Sequence, residues 1–404
     1  MALFHKVKRT LSVKLDRYLY RPLFHLLSTP LMPVLRKRRI NGAVLHLGYA
    51  THQPYHTTRI LRKFGIQADF MAIGARSHLW ERYDYHLGYS GWKSRWKELG
   101  LFWQVVSRYE IIHSHCGVML SEDGWELPLL KRLGCQIVIH YRGCEARDQQ
   151  LNMAIHPMMN ICQQCDYNGT ICRKERDRRT LANRYGDLFL VTTPDMLDFV
   201  PEGIHLPFFA PDLPLPTASE PQPVPGLAPV VRENGNSSTD QSTERPFRII
   251  HITNHPGIEG TEQIRAAIAN LQRRGHQIEF THHHGITHQD VLLAHIGADL
   301  SIGKMKMGYY ANAQIESMVC GVPAVTYVRP EFITPEMEES GLILTDLARL
   351  EQTIEFYLTH PDELAKKRDK ARSSILRLHD NKKLATKLIE FYRQLLDKSE
   401  SSGI

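Results

Sequence analysis

Four of the seven cysteines have a spacing that suits metal ligation. Cys162 and Cys165 form a Cys-x-x-Cys, Cys172 follows seven residues later, and Cys144 lies upstream in a Gly-Cys-Glu loop. Four thiolates suit tetrahedral zinc, and four protein ligands leave no open position, so the expected role is structural. An iron–sulfur cluster uses the same ligand set, unconnected buried thiols are the reading without a metal, and His156 is the substitute ligand if Cys144 takes no part. Seven cysteines with no recognisable export signal favour a reducing, cytoplasmic compartment over a disulfide framework.

A second focus is "GYYANAQIESMVCGVPAV", Gly308 to Val325, which reads as a glycine turn, a short amphipathic helix, a Gly-x-Pro stop and a new apolar strand. Glu316 is the one carboxylate in it, and a helical glutamate is ordinarily solvated, so its surroundings must decide what it does. Lys304 and Lys306 stand in the loop just before. Farther upstream, His113 and His115 end the apolar strand "YEIIHSHCG" and are expected on opposite faces, so that at most one of them reaches a cleft. His282, His283 and His284 end another strand; adjacent strand residues do not converge, so no metal site is expected there.

These residues sit in two runs of alternating strands and helices. From Ala43 come strand "AVLHLGY", helix "HTTRILRKFG", strand "ADFMAIG", strand "YEIIHSHCG", helix "GWELPLLKRLG" and strands "CQIVIHYRG" and "DLFLVTTP". From Phe247 come strand "FRIIHIT", helix "TEQIRAAIANLQRRG", strand "QIEFTHHHG", helix "HQDVLLAHIG", strand "ADLSIG", the Glu316 helix and strand "AVTYV". Such alternation predicts α/β domains with parallel, doubly wound sheets. Residues 211–246 interrupt it with seven prolines followed by "RENGNSSTDQSTERP", a composition that cannot offset its ordering entropy and is expected to form a flexible linker. The expected organisation is a basic amphipathic extension over 1–40, a Rossmann-like domain over 41–210, the linker, and a second Rossmann-like domain over 247–404. The terminal helix "KLATKLIEFYRQLL" is a candidate to cross back onto the first domain, and ligands are expected between the domains, beyond the carboxyl ends of the strands.

The stretch "GYYANAQIESMVCGVPAV" resembles the segment of retaining glycosyltransferases of family 4, with the GT-B fold, in which a Glu on a short helix precedes a small residue, Met and Gly-x-Pro. "IIHITNHPGIEGTEQI", "YEIIHSHCG" and "VIHYRGCEAR" stand where that family has a Lys-Gly-Thr helix start, a His-x-His strand end and a Gly-x-acidic-x-Arg loop. The resemblance spans nearly all of residues 43–400. It implies transfer of a sugar from a nucleotide-diphosphate donor to a glycan or glycolipid acceptor. On the donor side it implicates the helix start from Gly308 through Tyr309, Tyr310 and Asn312, whose amides suit a diphosphate. Glu316 would accept from ribose hydroxyls, and Asn254 and Gly285 are further donor-side residues. On the acceptor side it implicates His115, Gly48, His56, Glu145 and Arg147. The sequence departs from the pattern at Gly308, where the family has a second Glu, and near Asn254 and Glu259, where it has an Arg and a Lys. Lys304 and Lys306 are the candidates to supply that charge. The rival reading is a catalytically inactive GT-B protein that binds a glycan or partner; a nucleotide-sugar epimerase has no motif in its favour.

Charge is uneven. The chain carries a formal +7, whereas residues 1–40 alone hold ten Lys and Arg against Asp16. The body is therefore near neutral, which argues against nucleic acid as a partner. Phe4, Val7, Leu11, Leu15 and Leu19 share one helical face, too short and too charged for the run of about 18 apolar residues that spans a bilayer. Such a helix can lie on an anionic membrane surface. The full chain is expected to sediment with anionic liposomes in a salt-sensitive way; equally poor sedimentation of a chain starting at Asn41 and of the full chain would leave the helix a packing element only.

Overall fold

The computed structural model describes residues 19–76, 80, 82–88, 91–121, 124–156, 161–211 and 245–401. Most of the basic N-terminal helix and nearly all of the proline-rich stretch lie outside them. Strands β1 (Ile40–Gly48), β2 (Ala68–Ile73), β3 (Tyr85–Leu87), β4 (Tyr109–His115), β5 (Gln136–Tyr141), β6 (Leu188–Val191) and β7 (Ile204–His205) form one sheet in the order β3-β2-β1-β4-β5-β6-β7. Strands β8 (Phe247–Ile252), β9 (Ile278–His283), β10 (Leu300–Ile302), β11 (Ala324–Thr326) and β12 (Leu342–Leu344) form a second, ordered β12-β11-β10-β8-β9. Every pairing is parallel.

A parallel strand between two helical layers is buried on both faces and reads as a continuous apolar run. This is why β1 from Ala43 onward, β4 from Ile111 and all of β5 are buried. One face of the first sheet packs Leu45, Leu47, Ile112, Ile137 and Ile139 against Phe24, Phe102 and Leu130. The other face carries Val44, Ile111 and Val138. It is covered partly by Ile60 and Leu61 of helix His52–Lys63 and partly by the C-terminal helix Asn381–Ser401, through Leu384, Leu388, Ile389, Tyr392 and Leu395. The last helix in the chain therefore completes the first domain.

The chain passes between the domains near Ala210 and again near Asn381. The two passages are tied together: Asn381 Oδ1 accepts from the Ala210 amide at 2.9 Å, and its Nδ2 donates to the Ala210 carbonyl at 3.0 Å. Phe208 and Ala210 already pack with Tyr310, Ile315 and Met318 of the second domain. Because Leu388 is fully buried against the first sheet, Leu388→Ala is expected to cost about 2–5 kcal/mol. Urea unfolding would read this, and a loss below about 0.5 kcal/mol, the surface-substitution range, would show that the helix is not part of that core.

Candidate functional site

The segments after β1, β9 and β10 bring His52, His288 and Glu316 of the two domains together in one cleft. Helix Asn312–Val319 buries Glu316 almost completely. Nε2 of His288, the first residue of helix His288–Ile296, donates to Glu316 Oε1 at 3.0 Å. An ionised carboxylate only accepts, so this ring carries its proton on Nε2. From the other domain, His52, the first residue of helix His52–Lys63, brings its Nε2 to 3.2 Å from the same oxygen. That atom is shielded from solvent and makes no hydrogen bond. The two imidazoles are stacked, with centroids 4.4 Å apart and planes 18° apart, and His56 and Trp80 close around them. Burial first, then the neighbouring His288, His56 and Arg142, lowers the His52 pKa well below the usual histidine value. Beside the pair, Gln53 Nε2 donates to Asn312 Oδ1 at 2.9 Å across the cleft. The N-cap of the Glu316 helix is Ala311, which has no side-chain acceptor; Gln314 Oε1 reaches back to the Ala311 amide at 2.8 Å, so the next amides lack a side-chain cap.

A second part of the cleft is a small, narrow pocket. Arg147, Asp195, Asp198 and His156 line it from one domain, Lys306, Gly308 and Arg329 from the other. Three cations thus face two carboxylates. Arg147 is buried and bonds Asp195 at 2.5 Å. Arg329 bonds Asp198 at 2.7 Å and approaches His156 Nε2 at 2.6 Å. The Lys306 ammonium donates to Gln164 Oε1 and, at 3.0 Å, to the Gly257 carbonyl. Arg147, Lys306 and Gly308, expected at the site, therefore meet here, and Asn254 and Gly285 meet at the ends of β8 and β9, where the Gly285 amide donates to Asn254 Oδ1 at 3.1 Å.

Other expected residues are placed differently. His113 and His115 share one face of β4, because strand side chains alternate with a period of two; their rings stack at 4.4 Å with planes 12° apart. His115 is enclosed rather than open to the cleft, its Nε2 lying 2.8 Å from His46 Nδ1. Burial, followed by Arg142 and the neighbouring histidines, holds its pKa well below the usual value, so the ring is neutral. Gly48 is part of that packing, since a Cβ there would come within 3.3 Å of His115 Cβ. His56 is buried in its helix beside Trp80. Glu145 closes its own turn, accepting from the Arg142 and Gly143 amides. Lys304 bonds Glu259, so the charge sought from Lys304 is spent on the carboxylate that would have repelled a diphosphate. Tyr309 and Tyr310 are buried, and the Tyr310 hydroxyl is 3.0 Å from His379 Nε2; only their backbone can meet a ligand.

The four cysteines are not preassembled as a metal site. Among the described residues, the sets that bring three candidate ligand atoms within 4.8 Å of one another are His46–His113–His115 and His52–His288–Glu316, with no cysteine in either. Cys144 and Cys162 instead pack with Ile161 and Ile258 between the domains. Burial pushes the Cys144 thiol up to about 12, and Asn152 Nδ2 donates to Cys162 Sγ at 3.1 Å. The x-x residues of the Cys-x-x-Cys and the aspartate after it make the polar contacts: Gln164 holds Lys306, and the Asp166 carboxylate accepts from the Gly257 and Ile258 amides at 3.0 and 3.1 Å. His52, His288, Arg329, Asp195 and Asp198 were not among the expected site residues. Only the placement of His52 and His288 at helix starts after strand ends could have pointed to them.

No family model matches the chain, and no curated protein matches it. Its fold is similar to solved structures. Sucrose-phosphate synthase of Thermosynechococcus elongatus superposes with a TM-score of 0.58 at 14% identity, covering 89% of this chain and 100% of that one. Anabaena HepE, solved with UDP and glucose, gives 0.56 at 11%, covering 87% and 99%. The catalytic domain of Arabidopsis thaliana starch synthase IV, bound to ADP and acarbose, gives 0.51 at 11%, covering 86% and 99%. At such identities the likeness is one of fold, and the fold is GT-B.

The Asp198 pair generates a pH test. Burial pushes its carboxyl up, but hydrogen bonds from Arg329 and His156 more than reverse this, leaving the pKa below the usual 3.8. A depressed carboxyl contributes stability that is present above its unfolded pKa and is lost as pH falls through its folded one. The melting temperature is therefore expected to fall more between about pH 5 and about pH 3 in the unaltered protein than in Asp198→Asn. Equal falls would mean that this ion pair does not support the folded state.

Proposed function

We propose that this chain is a glycosyltransferase of the family-4 kind, moving a sugar from a nucleotide-diphosphate donor to a glycan or glycolipid acceptor with retention of configuration. The observation that carries the reading is the pocket in which Arg147 of one domain faces Lys306 and Arg329 of the other, beside the uncapped start of the Glu316 helix. Transfer needs positive charge where the leaving diphosphate gains negative charge. Lys306 and Arg329 are assigned that role in place of Lys304, with the backbone amides of the Asn312 helix start binding the diphosphate. Both histidines use Oε1 of Glu316, so Oε2 is the oxygen offered to the ribose diol. Asn254 and Gly285 are assigned to the nucleotide base and Arg147 to the acceptor side. The leaving diphosphate takes the acceptor proton, so no separate general base is required, and catalysis rests on positioning and leaving-group stabilisation. Among the described residues no helix is long and apolar enough to cross a membrane. Leu19, Leu26 and Val34 are exposed in the segment that also carries Arg36, Lys37 and Arg38, which supports a peripheral position at an anionic, cytoplasmic membrane face.

A second reading, a non-catalytic GT-B protein, is favoured by one observation. The Asp166 carboxylate already occupies the Gly257 and Ile258 amides, the turn that the resemblance offers to the donor. A panel of nucleotide diphosphates and nucleotide sugars separates the two. The transferase reading expects one donor to raise the melting temperature at millimolar concentration. It also expects Glu316→Ala to weaken that donor by about 1.5–3 kcal/mol, the range for hydrogen bonds to a charged group, and Lys306→Ala with Arg329→Ala to lower turnover more than donor affinity. If no nucleotide raises the melting temperature, the binding reading replaces it.

A further inference from the structure

We propose that His52, His288 and Glu316 form a binding site for a divalent ion of the zinc class that joins the two domains across the cleft. The ligands come from three helices and both domains, and their ligating atoms all lie within 4.8 Å of one another. Glu316 Oε1 is 3.0 Å from His288 Nε2 and 3.2 Å from His52 Nε2. A tetrahedral ion with bonds near 2.1 Å separates its ligands by about 3.3–3.4 Å, so the two histidine–carboxylate distances need change only by a few tenths of an ångström to accept one. The stacked rings present both Nε2 atoms to the same carboxylate oxygen. Hydrogen bonding alone leaves this arrangement incomplete: His52 Nε2 is shielded from water and makes no hydrogen bond despite its nearness to Glu316.

The other candidate set among the described residues, the three histidines His46, His113 and His115, differs on this point. His46 Nδ1 and His115 Nε2 bond each other at 2.8 Å, and His113 bonds Tyr392 at 2.5 Å and His140 at 3.1 Å. Its members are fully buried in the first domain. That set is a hydrogen-bonded network; the cleft triad is only partly buried at its histidines.

Two imidazoles and a carboxylate are the ligand set of zinc sites that keep a position for water or another ligand, and imidazole suits first-row ions more than calcium or magnesium. When the ion enters it takes the place of the proton on His288 Nε2, and the ring passes to its Nδ1–H tautomer, so a neutral imidazole loses no net proton. The helix starts hold the ligands in place. Thr287 caps the His288 helix by accepting from the Asp290 amide at 3.2 Å, and the extended backbone of Thr51 leads into His52. The inference does not rest on the transferase reading, because it asks only for an ion. Glu316 is the carboxylate that reading offers to ribose, so ion and nucleotide are alternative occupants of it.

The test uses the full chain freed of metal by chelation and titrated with Zn²⁺ against a chromophoric chelator, and separately with Co²⁺ followed by absorption. The expected result is one zinc equivalent that is lost in His52→Ala and in His288→Ala and kept in Cys162→Ser with Cys165→Ser, with a cobalt spectrum free of thiolate charge transfer. His288→Cys keeps the ligand count and is expected to bind cobalt with a new thiolate band, which decides the matter if an alanine variant fails to fold. Failure to take up zinc, loss of it in the cysteine variant with retention in His52→Ala, or absence of the thiolate band in His288→Cys would overturn the site.

Discussion

The tie between Ala210 and Asn381 sets the geometry on which every contact across the cleft depends. Two domains joined by one strand of chain would be free to rotate about it. Here the chain crosses twice, the crossings are hydrogen-bonded to each other, and the helix that follows the second is part of the first domain's core. The hinge is therefore double, and motion about it must preserve both passages. Away from it the domains meet mainly through polar contacts: Gln53 with Asn312, His52 with Glu316, Gln164 with Lys306, Asp166 with the Gly257 turn, and Asp198 with Arg329. A small apolar set, Ile161 and Cys162 against Ile258, is the exception. Water can replace polar contacts at little net free energy. The hinge thus holds the domains together while the rim of the cleft can open and close.

Electrostatics in the cleft follows from internal pairing. Lys304 is matched by Glu259, Arg147 by Asp195 and Arg329 by Asp198, leaving Lys306 on neutral oxygens. A buried ion left without a partner costs several kcal/mol, so these carboxylates stand in for an anion when none is bound. An anionic ligand gains from such a pocket only to the extent that it replaces those partners. The strongest net attraction lies at Lys306, whose present partners carry no formal charge.

The sequence already contained much of the fold. Buried parallel strands need unbroken apolar runs, and those runs in β1, β4, β5 and β10 announced a doubly wound sheet. Glu316 was legible because a charged residue between apolar ones on a short helix needs a reason. What was not legible was distance in space. His52 and His288 lie in different domains, and nothing local marks them as neighbours. Cys-x-x-Cys spacing permits a metal without requiring one; in the fold Cys162 packs at an apolar contact while Gln164 and Asp166 reach the other domain. His113 and His115 were misplaced by a parity error that the period of a strand corrects.

Gly308 couples backbone conformation to charge placement. Its φ is +88°, a conformation that favours glycine. A Cβ at this position would lie 2.9 Å from Arg329 Cγ, so no larger residue fits unless Arg329 moves. Arg329 is in turn fixed by Asp198 of the other domain and lies 4.3 Å above the Phe332 ring. A glutamate at residue 308 would strain the backbone and displace the guanidinium from Asp198. The glycine therefore leaves the space that a cation of the second domain fills, and this cation faces a carboxylate of the first.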